Sequence, residues 1–314
     1  MSSRRSVAER KQDLHVPVMV QEMLHATQPR TAGVYLDGTL GAGGYAEAIL
    51  QASCPDSIVV GLDLDPQAIC RAQKRLDKYR DRFRAIHGGF HHTRSILEAQ
   101  GITAIDGAVL DLGLSSDQLE SPERGFSFRL QGPLDMRFDN TSGDTALSYL
   151  EVISTNKLEE ILATYGQERY CKKLARVMLD ACNRGDIVTT NDLVRVVSSF
   201  MGKRRGRIHP ATRTFQALRI AVNREMENLA EGLEQIPEFL QPGARLCVVS
   251  YHSLEDRQVK ISFRQRGTDR ERWKVITPRP LRPSLGEVRE NPRARSAVMR
   301  VLEASAGPMR VEAV

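Results

Sequence analysis

What most constrains the fold is an early stretch in which apolar, strand-like segments alternate with helical ones. GVYLDG (33–38) and SIVVGLD (57–63) flank a glycine-rich turn and a helical stretch from about Tyr45 to Ala52, which is the order of a βαβ unit. A helix over Pro66 to Leu76 follows, then FRAIHGGF (83–90), another helical stretch, and DGAVLDLG (106–113). Each strand is an unbroken apolar run, so the pattern predicts an α/β fold whose parallel sheet is buried on both faces.

After Asp111 the alternation stops, and residues 119–208 read as an inserted helical domain. It resumes with one long helix from Thr212 to about Gln235, where Phe215, Leu218, Val222, Met226, Leu229 and Leu233 recur at helical spacing. Pro242 and Gly243 are expected to end it, ahead of a strand over 245–250 and the polar turn YHSLED (251–256). The expected organisation is therefore a core in two parts, 1–118 and 209–314, around the insertion 119–208. A chain of 314 residues suits two such units.

No window approaches the roughly 18 consecutive apolar residues of a membrane helix, and the charged start MSSRRSVAERKQDLHV is no secretory leader. A cytoplasmic protein without a membrane partner is expected. Five cysteines, odd in number and without a C-x-x-C pair, predict neither disulfides nor a metal site. The net charge is +6, but Arg264 to Arg300 alone holds ten Arg and one Lys against four acids, a local +7. Clustered arginine implies a polyanionic partner, and Trp273, Pro278, Pro280 and Pro283 suggest an ordered basic arm.

The turn DGTLGAGGYAEA (37–48) lies between a strand and a helix, where glycines let backbone approach a ligand. Gly41, Gly43 and Ala46 satisfy a dinucleotide fingerprint, and Asp63 falls 22 residues beyond Gly41, so a nicotinamide enzyme is a rival reading. Asp37, directly before the glycines, would repel a pyrophosphate but suits a ligand with a cationic end, such as S-adenosylmethionine. Asp63 would accept from ribose hydroxyls, or else cap the next helix; Asp65, before Pro66, is the better cap. Phe90 could stack on adenine or belong to the core. Asp111 ends the fourth strand at the carboxyl edge, where open α/β sheets bind ligands. The Pro-Pro-aromatic sequence that often follows such an acid in amino-methylating enzymes is missing.

Together these segments resemble the ribosomal small-subunit methyltransferase H family, also called MraW. The resemblance rests on HVPVMVQE (15–22), YLDGTLGAGGYAEAIL, GLDLDPQAI, LDLGLSSDQLESPERGFSFRLQGPLDMRFD (110–139), TYGQERY, HPATRTFQALRIAVNRE (209–225), VSYHSLEDRQVK (249–260) and NPRARSAVMR (291–300). It implies a Rossmann-like core with a helical insertion, and methyl transfer from S-adenosylmethionine to the exocyclic amino nitrogen of one decoding-region cytidine in 16S rRNA. By motif position it implies cofactor contacts at Gly43, Gly44, Tyr45, Asp63, Phe90, Asp111 and Gln118. The implied partner is 16S rRNA within the small ribosomal subunit, with a homodimer as an open assembly state. Two residues depart from the family pattern: Tyr45 stands where His is usual, and Tyr251 where Phe is usual.

The difficulty of the implied reaction is the nucleophile, whose lone pair is delocalised into the ring. An acceptor must hold the amine and take its proton. Asp111 and His252 are the candidates, with a structural turn as the competing role for His252; Glu255 and Asp256 are expected to cap a helix or pair with Arg257. For RNA, RGFSFRLQGPLDMRFD offers aromatics with Arg124, Arg129 and Arg137, which could cover a splayed-out base or simply anchor the insertion. Arg213, Arg219 and Asn223 on the helix from Thr212, near Arg204 and Arg205 of the basic KRRGR (203–207), are read as RNA contacts, as are Arg293 and Arg295. Packing of NPRARSAVMR onto the core is the competing view. The alternative function is a non-catalytic RNA-binding assembly factor on a methyltransferase fold.

Overall fold

The computed structural model describes residues 17–202 and 209–305. Arg204 and Arg205 lie outside the described residues. The chain divides into two units, one running through Gly113 and resuming at Asn228, the other Leu114–Glu227.

The first unit opens with α1 (Val20–Thr27), β1 (Val34–Asp37), α2 (Gly44–Ala52), β2 (Ile58–Asp63), α3 (Pro66–Arg75), β3 (Phe83–His87), α4 (Thr93–Ala99) and β4 (Ile105–Asp111). The expected alternation is present, and its punctuation is chemical. Asp65 accepts from the Gln67 amide at 2.9 Å and Pro66 occupies the first helical position, so α3 starts where its cap and fixed φ place it. The apolar runs of β1, β2 and β4 are buried, with Tyr35, Leu36, Val59, Val60, Leu62, Ala108, Val109 and Leu110 at 2% exposure or less.

The second unit holds α5 (Ser116–Glu120), α6 (Ala146–Val152), α7 (Thr155–Thr164), α8 (Cys171–Asn183), α9 (Thr190–Met201) and α10 (Thr212–Val222). Its own apolar core joins Leu150, Leu158, Leu162, Leu174, Met178, Leu193, Phe215 and Leu218. The unit spans more than the expected 119–208, because α10 packs with α6 and α7 rather than with the sheet.

α11 (Glu225–Gln235) returns the chain to the first unit, followed by β5 (Leu240–Ser250), α12 (Ser253–Arg266), β6 (Trp273–Val275), α13 (Leu285–Glu290) and β7 (Val298–Ala304). The expected single helix over 212–235 is thus two. The break lies at Asn223 and Arg224, the latter at φ 49°, and it is held by tertiary bonds: Asn223 Nδ2 donates to the Met136 carbonyl at 2.7 Å and Asn223 Oδ1 accepts from the Phe138 amide at 2.7 Å. Pro242 and Gly243 do not end an element either. They occupy an irregularity within β5, where Leu240 pairs with Ile105 and Arg245 with Gly107.

The seven strands run in the order β3-β2-β1-β4-β5-β7-β6. Pairings from β3 to β5 are parallel, whereas β7 is antiparallel to β5 and β6. The sheet is therefore mixed rather than all-parallel, and the basic arm expected over Arg264 to Arg300 is instead α12, β6, α13 and the start of β7. No described helix is long and apolar enough to cross a membrane.

Candidate active site

β1 has β2 on one side and β4 on the other, so strand order reverses there. Open α/β sheets bind ligands outside the carboxyl ends of the strands at such a point. At those ends stand Asp37, Asp63 and Asp111. The glycine-rich turn between β1 and α2 is tied to both strands that flank β1: Gly38 N–H donates to the Val109 carbonyl of β4 at 2.9 Å, and on β2 Leu40 N–H donates to the Leu62 carbonyl at 2.8 Å and Gly41 N–H to Asp63 Oδ2 at 2.7 Å. Gly43 has φ 79°, and a Cβ there would also crowd Leu76 at 3.0 Å, so the turn requires glycine at that position. At Gly41 a Cβ would meet nothing within 4 Å, leaving that side of the turn open to a ligand.

The three carboxyls have different places. Asp37 is fully buried, and its oxygens accept from the amides of Thr39 at 3.3 Å and Ala46 at 3.1 Å. Through these bonds it braces the turn. Asp63 is partly exposed; besides Gly41 it accepts from the Asp65 amide through Oδ1 at 2.8 Å. Asp111 is also partly exposed. Its amide donates to Thr39 Oγ1 at 2.6 Å, its Oδ1 accepts from the Gly113 amide at 3.2 Å, and the hydroxyls of Tyr251 and Tyr45 face its carboxylate.

Burial pushes the Asp37 carboxyl up to about 7, with the charges of Asp63 and Asp111 adding to the rise. Burial likewise lifts Asp63 to about 6, against the pull of its two backbone amide bonds. Asp111 is lifted by burial to about 6, restrained by the bonds from Tyr251, Gly113 and Tyr45 and raised by the Glu255 charge. Three carboxyls, each raised by burial and one of them raised further by the other two, are suited to a ligand carrying positive charge and unsuited to a pyrophosphate.

The other expected cofactor residues divide by which part of each is available. Tyr45 is buried; its hydroxyl, beside Asp111, donates to the Val18 carbonyl, and its backbone at the start of α2 borders the turn. Gly44 packs against Pro17, where an added Cβ would approach within 2.6 Å. Phe90 follows β3 in a short 3-10 turn; one ring edge lies against Gly232 of α11, and the side chain stays partly exposed. His252 caps α12: its Nδ1 accepts from the Glu255 amide at 3.4 Å, while Glu255 Oε2 accepts from the amides of Tyr251 at 2.8 Å and His252 at 3.2 Å. That capping box favours the structural role for His252 and bears out the cap expected of Glu255. Asp256 pairs with Arg300 at 2.7 Å, not with Arg257.

Residues 12–305 match the MraW methylase family. The chain is 46% identical over 303 residues to "Ribosomal RNA small subunit methyltransferase H" of Thermomicrobium roseum, covering 92% of this chain and 93% of that one. The proteins of the same name from Citrifermentans bemidjiense and Trichlorobacter lovleyi are 44% and 42% identical over 305 residues, covering 92% of this chain and 98% and 97% of theirs. The chain belongs to the MraW methylase family.

In the second unit of this methylase, most residues nominated for RNA are engaged with the protein itself. Arg124 is 4% exposed and donates to the carbonyls of Arg137 at 2.9 Å and Phe138 at 2.8 Å. Arg137 makes a two-pronged bond to Asp135, both contacts at 2.8 Å. Arg219 does the same with Glu225 at 2.7 and 2.8 Å, and Asn223 holds the backbone of Met136 and Phe138. Arg213 reaches the Gln167 carbonyl at 3.2 Å. The anchoring role, weighed above for the aromatic segment, extends to its arginines. Gln118 caps α5 with Ser115, its Oε1 accepting from the Ser115 amide at 3.0 Å, so its cofactor role rests on the motif alone. In the first unit, Arg295 is exposed and Arg293 partly so, next to the buried Ala294 and Ala297.

Sequence reasoning missed Thr39, which fixes the Asp111 backbone, and the hydroxyl of Tyr251. A polar residue two positions past a strand-end acid, in a turn that must meet the next strand, is the signal for Thr39. For Tyr251 the signal was its departure from the family pattern.

Proposed function

We propose that this methylase transfers a methyl group from S-adenosylmethionine to the exocyclic amino nitrogen of a decoding-region cytidine in 16S rRNA, in the cytoplasm. The observation that carries the reading is the pair of partly exposed carboxylates, Asp63 and Asp111, at the sheet edge where strand order reverses, in a chain of the MraW methylase family. The relatives' name, ribosomal RNA small subunit methyltransferase, supports the substrate class.

The donor fits the residues present. Asp63 offers acceptors for the ribose hydroxyls, Gly43, Gly44 and the backbone of Tyr45 line the turn, and the partly exposed ring of Phe90 gives adenine a surface. The clustered carboxyls favour a cation. When bound, the donor supplies a sulfonium-activated methyl group. The chain's own task is to hold the amine in line and receive its proton.

Asp111 is the residue placed for that task. With its carboxyl near 6 it is ionised at neutral pH, yet close enough to neutral to accept a proton as the amine loses one. His252 then acts one step back, fixing the start of α12 beside Tyr251 and Glu255. Mass spectrometry of 16S rRNA nucleosides from cells with and without this gene tests the reading, followed by adding purified protein, S-adenosylmethionine and small subunits. Loss and restoration of methyl on one cytidine amine is the expected result. An unchanged methylation pattern in rRNA that the protein nonetheless binds would favour the non-catalytic assembly factor.

A further inference from the structure

With Arg124, Arg137 and Arg219 of the second unit held by carboxylates and carbonyls, its densest cluster of unpaired positive charge lies elsewhere, at the start of α8. Arg169, Lys172, Lys173 and Arg176 are all exposed, and none forms an ion pair among the described residues. Lys172, Lys173 and Arg176 fall within about 100° of arc on the helix. The other side of the helix, with Leu174, Ala175 and Met178, is buried in the unit's core. Tyr170, just before the helix, is 50% exposed, with the Arg169 guanidinium 6.0 Å from its ring centre.

This face is not an ordinary solvated one. Elsewhere in the unit the exposed cations Lys157, Arg184 and Arg195 each pair with an acid, Glu160, Asp186 and Asp192, while the exposed Arg129 and Arg224 stand singly rather than in a cluster. Around the start of α8 no acid plays that part: the first turn has none, Glu168 is 3% exposed, and the helix's first acid is Asp180. Two lysines in a first turn oppose the helix dipole, and Lys172 with Arg176 is a like-charge pair one turn apart. Folding alone disfavours that arrangement. It becomes favourable when a polyanion covers it.

We infer that this face of α8 binds the phosphate backbone of the RNA substrate, with Tyr170 stacking on an unpaired base beside it. The inference rests on the proposed rRNA methylation and names the surface by which the RNA is held. Phosphate contacts by three cations release counterions, and the exposed tyrosine with its adjacent guanidinium supplies the stacking platform typical of single-strand binding.

The test uses the full chain carrying Lys172→Ala, Lys173→Ala and Arg176→Ala together, with dissociation constants for purified 16S rRNA measured between about 50 and 300 mM salt. The expected result is binding weakened at least about tenfold at low salt, with the log–log salt slope reduced by about 2. Affinity for S-adenosylmethionine should not change, which shows that the first unit is intact, and the melting temperature should hold or rise. Tyr170→Ala should weaken binding without changing the slope. An unchanged affinity and slope in the triple variant, while the unaltered chain binds rRNA, overturns the surface and leaves the proposed activity standing. If the unaltered chain neither binds rRNA nor methylates it, both fall.

Discussion

Tyr251 turns its hydroxyl onto the carboxylate of Asp111, 140 positions earlier in the chain, from the turn that starts α12. The tyrosine ring lies over Gly113, whose Cβ, if present, would be 2.6 Å from the ring's Cε2, and Gly113 donates to the same carboxylate. Tyr45 approaches Asp111 from α2. Tyr45 and Tyr251 therefore meet at one acid. The groups facing it are Tyr45, Tyr251, Glu255 and Asp37.

A phenol that donates to a carboxylate favours its ionised form, so Tyr251→Phe should raise the Asp111 pKa from about 6 by about one unit. The variant keeps the aromatic ring over Gly113 and should remain active. Its rate of methyl transfer should fall several-fold near pH 6.5 and recover near pH 8.5, by the ordinary titration of one acid. A pH–rate profile parallel to that of the unaltered enzyme would show that Tyr251 does not tune Asp111.

Asp63→Ala removes the acceptor for two backbone amides as well as the proposed ribose contact. Losing a charged acceptor should weaken S-adenosylmethionine binding about 10- to 100-fold, and the exposed amides of Gly41 and Asp65 should cost about 1–3 kcal/mol of stability. The sequence alone predicts little effect on folding. The bond to Gly41 changes that expectation. Calorimetric titration and urea unfolding of the same variant separate the two effects, and unchanged affinity would remove the ribose assignment.

Features set by local chemistry were legible in the sequence, and features set by distant partners were not. The Asp65–Pro66 cap, the glycine turn and the apolar strands β1, β2 and β4 need only neighbouring residues to be understood. β7 was hidden because it carries Arg300 and Glu303, which read as surface charge. Each is neutralised from far along the chain, by Asp256 and Arg245. The stripe of Arg219 and Asn223 looked like an RNA face for the same reason. A polar side chain does not announce whether its partner is solvent, phosphate or a carbonyl 87 positions away, as that of Met136 is for Asn223. His252 was left between two roles because histidine caps and catalyses with the same nitrogen atoms, and only the geometry of Glu255 separates them.

The raised carboxyls give ligand binding a direction with pH. Asp37, Asp63 and Asp111 pass from about 3.8 in an unfolded chain to about 7, 6 and 6 here. The folded state thus holds protons more tightly, so without ligand these groups make stability fall as pH rises from about 4 to 7, and add no further change above that. A cationic ligand has the opposite dependence, because ionisation creates the charge it meets. S-adenosylmethionine should bind about tenfold or more tightly at pH 8 than at pH 5, and S-adenosylhomocysteine, which lacks the sulfonium charge, should gain less. Calorimetry at several pH values measures both slopes. Equal slopes would mean that the carboxyl cluster does not sense the sulfonium.

Arg219 and Glu225 supply the last test, because they distinguish a structural from an RNA-binding arginine. Their two parallel bonds, 2.7 and 2.8 Å long, close the end of α10 onto the start of α11, and both side chains are largely buried, at 15% and 9% exposure. Removing one partner leaves the other charge poorly solvated, so Arg219→Ala should destabilise the protein by about 2 kcal/mol. Removing both should cost less than the sum of the single changes, since neither charge is then stranded. Urea unfolding of the two single variants and the double variant measures that coupling. At fixed salt the RNA affinity of the folded Arg219→Ala protein should change far less than that of the α8 variant. A large loss of RNA affinity with stability intact would return Arg219 to the RNA surface.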